Sequence, residues 1–318
     1  MMSRSSSRRS IPNMPATCGK TSSRNGIISS APMRIVMCAC PLSLIAATLP
    51  RQAREDKMTL ILRRDAGAVR HLTLNAPDRL NALSDAMLAA LDAECAELEQ
   101  DRSIRVVTLG GAGRAFCAGH DLAEMQAARQ AEDAGRAAFA DLFARCSALM
   151  QRLQGLPQPV IARVHGVAAA AGCQLVATCD MAVAADSARF GVNGVNLGLF
   201  CSTPMVALSR NAPAKHVFEM LVTGEFVDAP RARELGLVNR VVPEGDLYTA
   251  AEDLADTVAA KLGSAVRIGK QAFYRQRELT LAQAYAYTGE VMVQNMLDVG
   301  TEEGIAAFLE KREPDWPQ

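Results

Sequence analysis

Two apolar runs, "IRVVTL" (104–109) and "PVIARV" (159–164), constrain this chain more than any other feature. Both are short, nearly continuous in apolar residues and rich in Val and Ile. They read as strands buried inside a sheet. Each is followed by a loop of small residues that enters a helix: "GGAGRAFCAGHDL" after the first, "HGVAAAAGCQL" after the second. Between His165 and Gln174 the only titratable side chain is a thiol. Small residues let a ligand approach the backbone, and amides at a turn and helix start are free to donate. Two such amides converging from different loops make an oxyanion hole. The alternative is that the alanines simply pack against a neighbouring element. "GGAGRAF" lacks the third glycine of a dinucleotide fingerprint, and no phosphate-loop Gly-Lys-Ser/Thr occurs.

The remaining pattern is consistent with an α/β fold. "MTLILRRD" and "AVRHLTLN" flank Gly67 as a hairpin. Ser84 caps a helix whose Met87, Leu91, Cys95 and Leu98 fall on one face. Helical sequence runs from the first loop to about Leu153. "DMAVAA" and "ARFG" are short strands. From Thr203 onward everything is helical apart from "GLVNRVV" (236–242). Strands with intervening helices early, then helices, imply one α/β domain with a helical C-terminal part.

Residues 1–57 are of another kind. Up to residue 56 they carry eight basic residues against Glu55 and Asp56, a net of +6. The whole chain is neutral, so the rest is −6. A mildly acidic body argues against nucleic acid as partner. "IVMCACPLSLIAATL" (35–49) is too short to span a membrane. The Ser/Arg-rich leader reads as an organellar transit peptide, a secretory signal, or upstream sequence before a natural start at Met58. The last fits a GC-rich bacterial genome and a cytoplasmic protein; the first would make it mitochondrial. The expected division is a disordered leader (1–57), a core (58–255) and a helical region (256–318). Six cysteines beyond the leader lie in apolar sequence without CxxC spacing, as buried free thiols do. No metal site is expected.

Four stretches together identify a likeness: "NALS" (81–84), "GRAFCAGHDLAEM" (113–125), "VHGVAAAAGCQLVATCDMAVAADSARFG" (164–191) and "TGEFVDAPRARELGLVNRVVP" (223–243). In this order they resemble the enoyl-CoA hydratase/isomerase, or crotonase, superfamily. "GVNLGLFCSTP" (194–204) and the closing "GIAAFLEKREPDW" point to a narrower branch within it. The resemblance implies a crotonase-type spiral of ββα turns with a helical C-terminal trimerisation region, giving a homotrimer or a dimer of trimers. It implies an acyl-CoA or enoyl-CoA thioester as ligand, with coenzyme A as part of the substrate and no separate cofactor. The family's two oxyanion-hole amides fall on His120 and Ala171. Ala118 and the segment His120, Asp121, Leu122, Ala123 would contact CoA, with Arg79 and Lys270 as partners for its phosphates or else as solvated charges.

The departures from the family pattern bear on chemistry. Hydratases of this family use two glutamates to handle water and proton. Those positions hold Gln174 and Gly194 here. A neutral amide cannot act as a general base, and glycine offers no group at all. Efficient enoyl-CoA hydration is therefore not expected. Other residues edge the implied pocket: Glu124, Asn193, Asn196, Cys201 and Ser202. His120 would be an acid or base, or pack on CoA. Asp121 would cap the helix after it. Ser202 would begin the helix of "STPMVAL" or sit close to substrate. Cys201 has no base beside it. The chain is then either an enzyme on acyl-CoA thioesters or a non-catalytic acyl-CoA binder that modulates fatty-acid metabolism.

Overall fold

The computed structural model describes residues 59–316, so the readings of the leader and of Met58 lie outside the described residues. Strands β1 (Ile61–Ala66) and β2 (Val69–Leu74) form the expected hairpin, turning at Gly67 with φ +57°. The chain continues through β3 (Val106–Gly111), β4 (Val160–Val164), β5 (Val167–Ala169), β6 (Met181–Ala185), β7 (Arg189–Gly191), β8 (Val227–Asp228) and β9 (Arg240–Val242). One sheet has the order β1-β2-β3-β4-β6-β9, parallel throughout except for the β1–β2 pair. A second, smaller sheet has the order β5-β7-β8.

Strands β4 and β6 each feed a short strand of the second layer, β5 and β7. Two isolated bridges extend that layer to the turn after β3: Cys117 pairs with Ala168, and Leu83 with His120. Each short strand runs into a helix. Leu83 leads into α1 (Asp85–Gln100), His120 into α2 (Leu122–Ala128), β5 into α4 (Ala171–Thr178) and β7 into the 3-10 turn Asn193–Leu197. The unit is strand, short strand, helix, repeated; this is the ββα spiral of the crotonase fold.

The core strands are buried on both faces, which is why their sequences are near-continuous apolar runs. Helix α1 is capped by Ser84, which accepts from Met87 N, and it buries Met87, Leu91, Cys95 and Leu98 as its spacing requires. Helix α3 (Arg136–Gly155) packs on α1. The region after β3 is thus two helices, broken near Gly135, whose φ is +85°. Helices α5 (Pro204–Asn211), α6 (Ala214–Thr223) and α7 (Ala229–Glu234) lead to β9. Helix α8 (Leu247–Ala259) then lies across β2, β3, β4 and β6. Helices α9 (Gly263–Gln276), α10 (Leu281–Met296) and α11 (Val299–Glu310) complete the chain. The six cysteines among the described residues are free and buried.

Candidate functional site

The two small-residue loops lie side by side. Phe116 N donates to His165 O, Cys117 N to Val167 O, and Ala169 N to Cys117 O. A Cβ on Gly172 would sit 2.2 Å from Cys117 O, so only glycine permits this approach. Each strand then spends its last amide on a neighbour. Leu83 N donates to Gly119 O, and Ala170 N to Gly191 O. The next amides, His120 N–H and Ala171 N–H, have no hydrogen-bond partner among the described residues. They are close together: a Cβ on Gly119 would lie 3.4 Å from the Ala171 nitrogen. Gly119 takes φ +98°, which favours glycine. Ala170, at φ +48° and ψ −116°, accepts a strained geometry to turn the chain into α4.

His120 and Ala171 both line a cavity of about 580 Å³. It opens where segments leave the carboxyl ends of β3, β5 and β7, the usual place for ligands in open α/β sheets. Its walls are largely apolar, with Met125, Phe143, Leu197, Leu199, Phe200 and Pro204 among them. Asp121 is the one carboxylate lining it among the described residues, and it is occupied. It caps α2 by accepting from Ala123 N (2.9 Å) and Glu124 N (3.2 Å), and it pairs with Arg79. Arg79 also approaches Glu124 at 3.8 Å. The His120 ring rests edge-on against Phe143 at 5.8 Å. Its Nδ1 lies 3.4 Å from Leu83 O, so Nδ1 carries the proton, and Nε2 is buried without a partner. Burial holds this imidazole below the usual histidine range, so it is neutral near pH 7. Burial likewise raises the Cys201 thiol, which disfavours the thiolate a nucleophile needs.

Residues 64–318 match the family model described as Enoyl-CoA hydratase/isomerase. The chain is 43% identical over 256 residues to enoyl-CoA hydratase domain-containing protein 3, mitochondrial, of Xenopus laevis, covering 80% of this chain and 85% of that one. Its human counterpart is 42% identical over 263 residues, with 83% and 85% covered. The crystal structure of an enoyl-CoA hydratase from Mycobacterium smegmatis superposes with a TM-score of 0.78 at 54% identity, covering 81% of this chain and 98% of that one. That of human enoyl-CoA hydratase domain-containing protein 3 gives 0.77 at 41%, covering 81% and 100%. The chain belongs to the enoyl-CoA hydratase/isomerase family. The narrower branch indicated by residues 194–204 and the C-terminal stretch is that of domain-containing protein 3.

Within this family frame, the structure brings Arg79, Ala118, His120, Asp121, Leu122 and Ala123 to the cavity, together with Ala171, Gly194 and Ser202. Gln174 is buried in α4 and does not line it, and its Oε1 has no partner. Gly194 lines the wall but has no space for a side chain. A Cβ there would meet Leu199 O at 2.4 Å and Cys201 Sγ at 2.8 Å. Lys270 does not belong to the site. Its three ammonium protons go to Leu153 O, Gln158 O and Asp180 Oδ2 at 3.2, 2.9 and 2.7 Å, leaving none for a phosphate. Ser202 is no helix cap: α5 starts at Pro204, and the Ser202 hydroxyl donates to Phe200 O at 3.4 Å. His165, in the second loop, turns away and bonds Gly113 O at 2.8 Å.

Two contributors were not visible as such in the sequence. Asn81 is fully buried with φ +54°; its Oδ1 accepts from Ala76 N and its Nδ2 donates to Ala112 O and Ala115 O. It ties the turn before α1 to the loop that carries His120. The signal available was the tolerance of asparagine for left-handed backbone. Phe143, which holds the His120 ring, lies on α3, and nothing local marks it out from other helix residues.

Proposed function

We propose that this protein binds acyl-CoA or enoyl-CoA thioesters, with the thioester oxygen held between His120 N–H and Ala171 N–H as an oxyanion hole. Both donors are unengaged and fixed by sheet hydrogen bonds, so they need no reorganisation as charge develops. The Ala171 amide also opens α4, whose dipole favours negative charge there. The apolar walls suit an acyl chain. Half-exposed Arg79 and the Ala118–Ala123 segment stand at the mouth for the CoA moiety, and coenzyme A enters as part of the substrate.

The observation that carries the mechanism is the state of the carboxylates. Asp121 is committed to the α2 amides and to Arg79, and Gln174 and Gly194 supply no acid. Thioester polarisation remains while positioned proton transfer to water is missing, a loss of roughly 10²–10⁴ per group. The same observation favours a second reading, an acyl-CoA binder that modulates another enzyme of fatty-acid metabolism. The full chain, given crotonyl-CoA and longer enoyl-CoAs, is expected to bind them and to hydrate them at well under about one turnover per second. Turnover at tens per second would show that another residue moves the proton and would overturn this reading. The exposed apolar residues of α10 and α11 support assembly as a homotrimer or dimer of trimers. Placement in a bacterial cytoplasm, or in mitochondria if the leader is a transit peptide, is part of the same proposal.

A further inference from the structure

Helix α2 borders two spaces. One is the thioester cavity. The other is a small void of about 40 Å³ between α2 and α3, whose apolar lining is Leu83, Ala128, Ala138, Phe139 and Leu142. The two spaces share two lining residues, Asp121 and Met125.

They follow one another along the seam between α2 and α3. On α2, Leu122 lines the cavity, Met125 lines both spaces, and Ala128 lines the void. Residues three apart share one face of a helix, so these three form a single row. On α3 the order runs backwards. Phe143 lines the cavity, and Phe139, one turn earlier on the same face, lines the void. Past Phe139 the two helices close on each other, and the chain turns between them at Gly135. A Cβ there would lie 2.9 Å from both Ala128 O and a Phe139 ring carbon.

Of the two shared residues, Asp121 is committed to Ala123 N, Glu124 N and Arg79. The other carboxylates edging the void are held too. Glu124 accepts from Asp85 N at 2.9 Å, and Asp85 from the Arg145 guanidinium at 2.6 Å. Met125 has no polar anchor. It is half-buried, packs against the core, and is the one apolar residue common to both spaces among the described residues. Its side chain is unbranched, so it fills an irregular gap without a second group to lock it.

We propose that Met125 sets the length of acyl chain this protein accepts. The chain runs from the thioester oxygen along the α2–α3 seam, and Met125 is the stop that keeps it out of the void. This rests on the thioester reading of the cavity and adds to it a residue that selects among acyl groups. One three-residue step along α2 covers about 4.5 Å, the reach of roughly three or four methylenes. Removing the stop should lengthen the accepted chain by about that much.

Calorimetric titration of the full chain with saturated acyl-CoAs, from butyryl to tetradecanoyl, tests it. Burying a methylene is worth about fourfold in affinity, so affinity should climb by up to that factor per carbon and then level off at one length. Met125→Ala should move this break to chains longer by about two to four carbons. Met125→Val removes less and should move it less; it also carries the test if alanine disturbs α2. Ala128→Leu added to Met125→Ala refills the void from its far side and should bring the break back. A substitution that only loosened the fold would lower affinity at every length and leave the break in place. Three results would overturn the proposal: a wild-type series that climbs without a break, a break unmoved in both Met125 variants, or a moved break that Ala128→Leu does not restore. Failure of every acyl-CoA to bind would instead overturn the thioester reading, and the role of Met125 with it.

Discussion

His120 joins the two loops' chemistry in one residue, because its amide and its ring have separate employment. The amide has no hydrogen-bond partner among the described residues, while the neutral ring sits against Phe143 with Nδ1 directed at Leu83 O. His120→Ala keeps the amide, so thioester binding should weaken by less than about tenfold in a titration with crotonyl-CoA. A larger loss, or disappearance of an activity that peaks near neutral pH, would make the ring the working group. Ala171→Pro is a poorer probe: it removes the donor, but ψ −116° at Ala170 lies outside the range a residue before proline accepts. The ring also has a pH signature. Burial lowers the pKa of both His120 and His71 in the folded state. The unfolded chain then binds more protons below about pH 6.5, so the stability from keeping these rings neutral is present above that pH. It is lost as pH falls through the folded-state values. Urea unfolding midpoints should therefore drop between about pH 7 and pH 5, and His120→Asn should flatten the drop. An unchanged slope in that variant would remove His120 from the account.

Among the elements, α9 is fastened at one point more than along its length. Asp180, just before β6, accepts from Val160 N (2.7 Å), Lys270 Nζ (2.7 Å) and Tyr274 OH (2.9 Å). Lys270→Met leaves a buried carboxylate without its counter-charge and should cost about 3–5 kcal/mol in urea unfolding. Folded protein should bind crotonyl-CoA as before, since Lys270 is remote from the cavity; a selective loss of CoA affinity would return it to the site. This lysine shows where reading the sequence stopped. A lysine in an amphipathic helix is ordinarily a surface charge, and its partners stand 117, 112 and 90 residues away. The hairpin, α1 and the core strands were legible because hydrophobic period and a capping serine are local signals. Strands β5 and β8, three and two residues long, are too short to show a period. They exist because neighbouring backbone offers bonds. The two loops were legible as a site from their small residues, but the sealing of Gly194 by Leu199 O and Cys201 Sγ depends on how the chain returns on itself.

Across the whole molecule, the C-terminal helices leave more apolar surface open than a lone soluble chain ordinarily tolerates. No residue of α10 is fully buried. Leu281, Tyr285, Met292, Leu297 and Phe308 are 76%, 74%, 62%, 80% and 82% exposed. Covering a large apolar side chain is worth about 1.5–3 kcal/mol, and several such residues on each of three copies outweigh the entropy of association. The full chain should therefore run as a trimer or hexamer at micromolar concentration in analytical ultracentrifugation. Leu297→Asp together with Phe308→Asp places two charges where the apolar contact would form, and burying them unpaired is prohibitive. The variant should shift to monomer while keeping its helical circular dichroism and a cooperative urea transition, because both side chains are exposed in the single chain. Loss of folding in the variant would show instead that the helices need these residues internally. A wild-type protein that sediments as a monomer would mean that something other than a second copy covers this face.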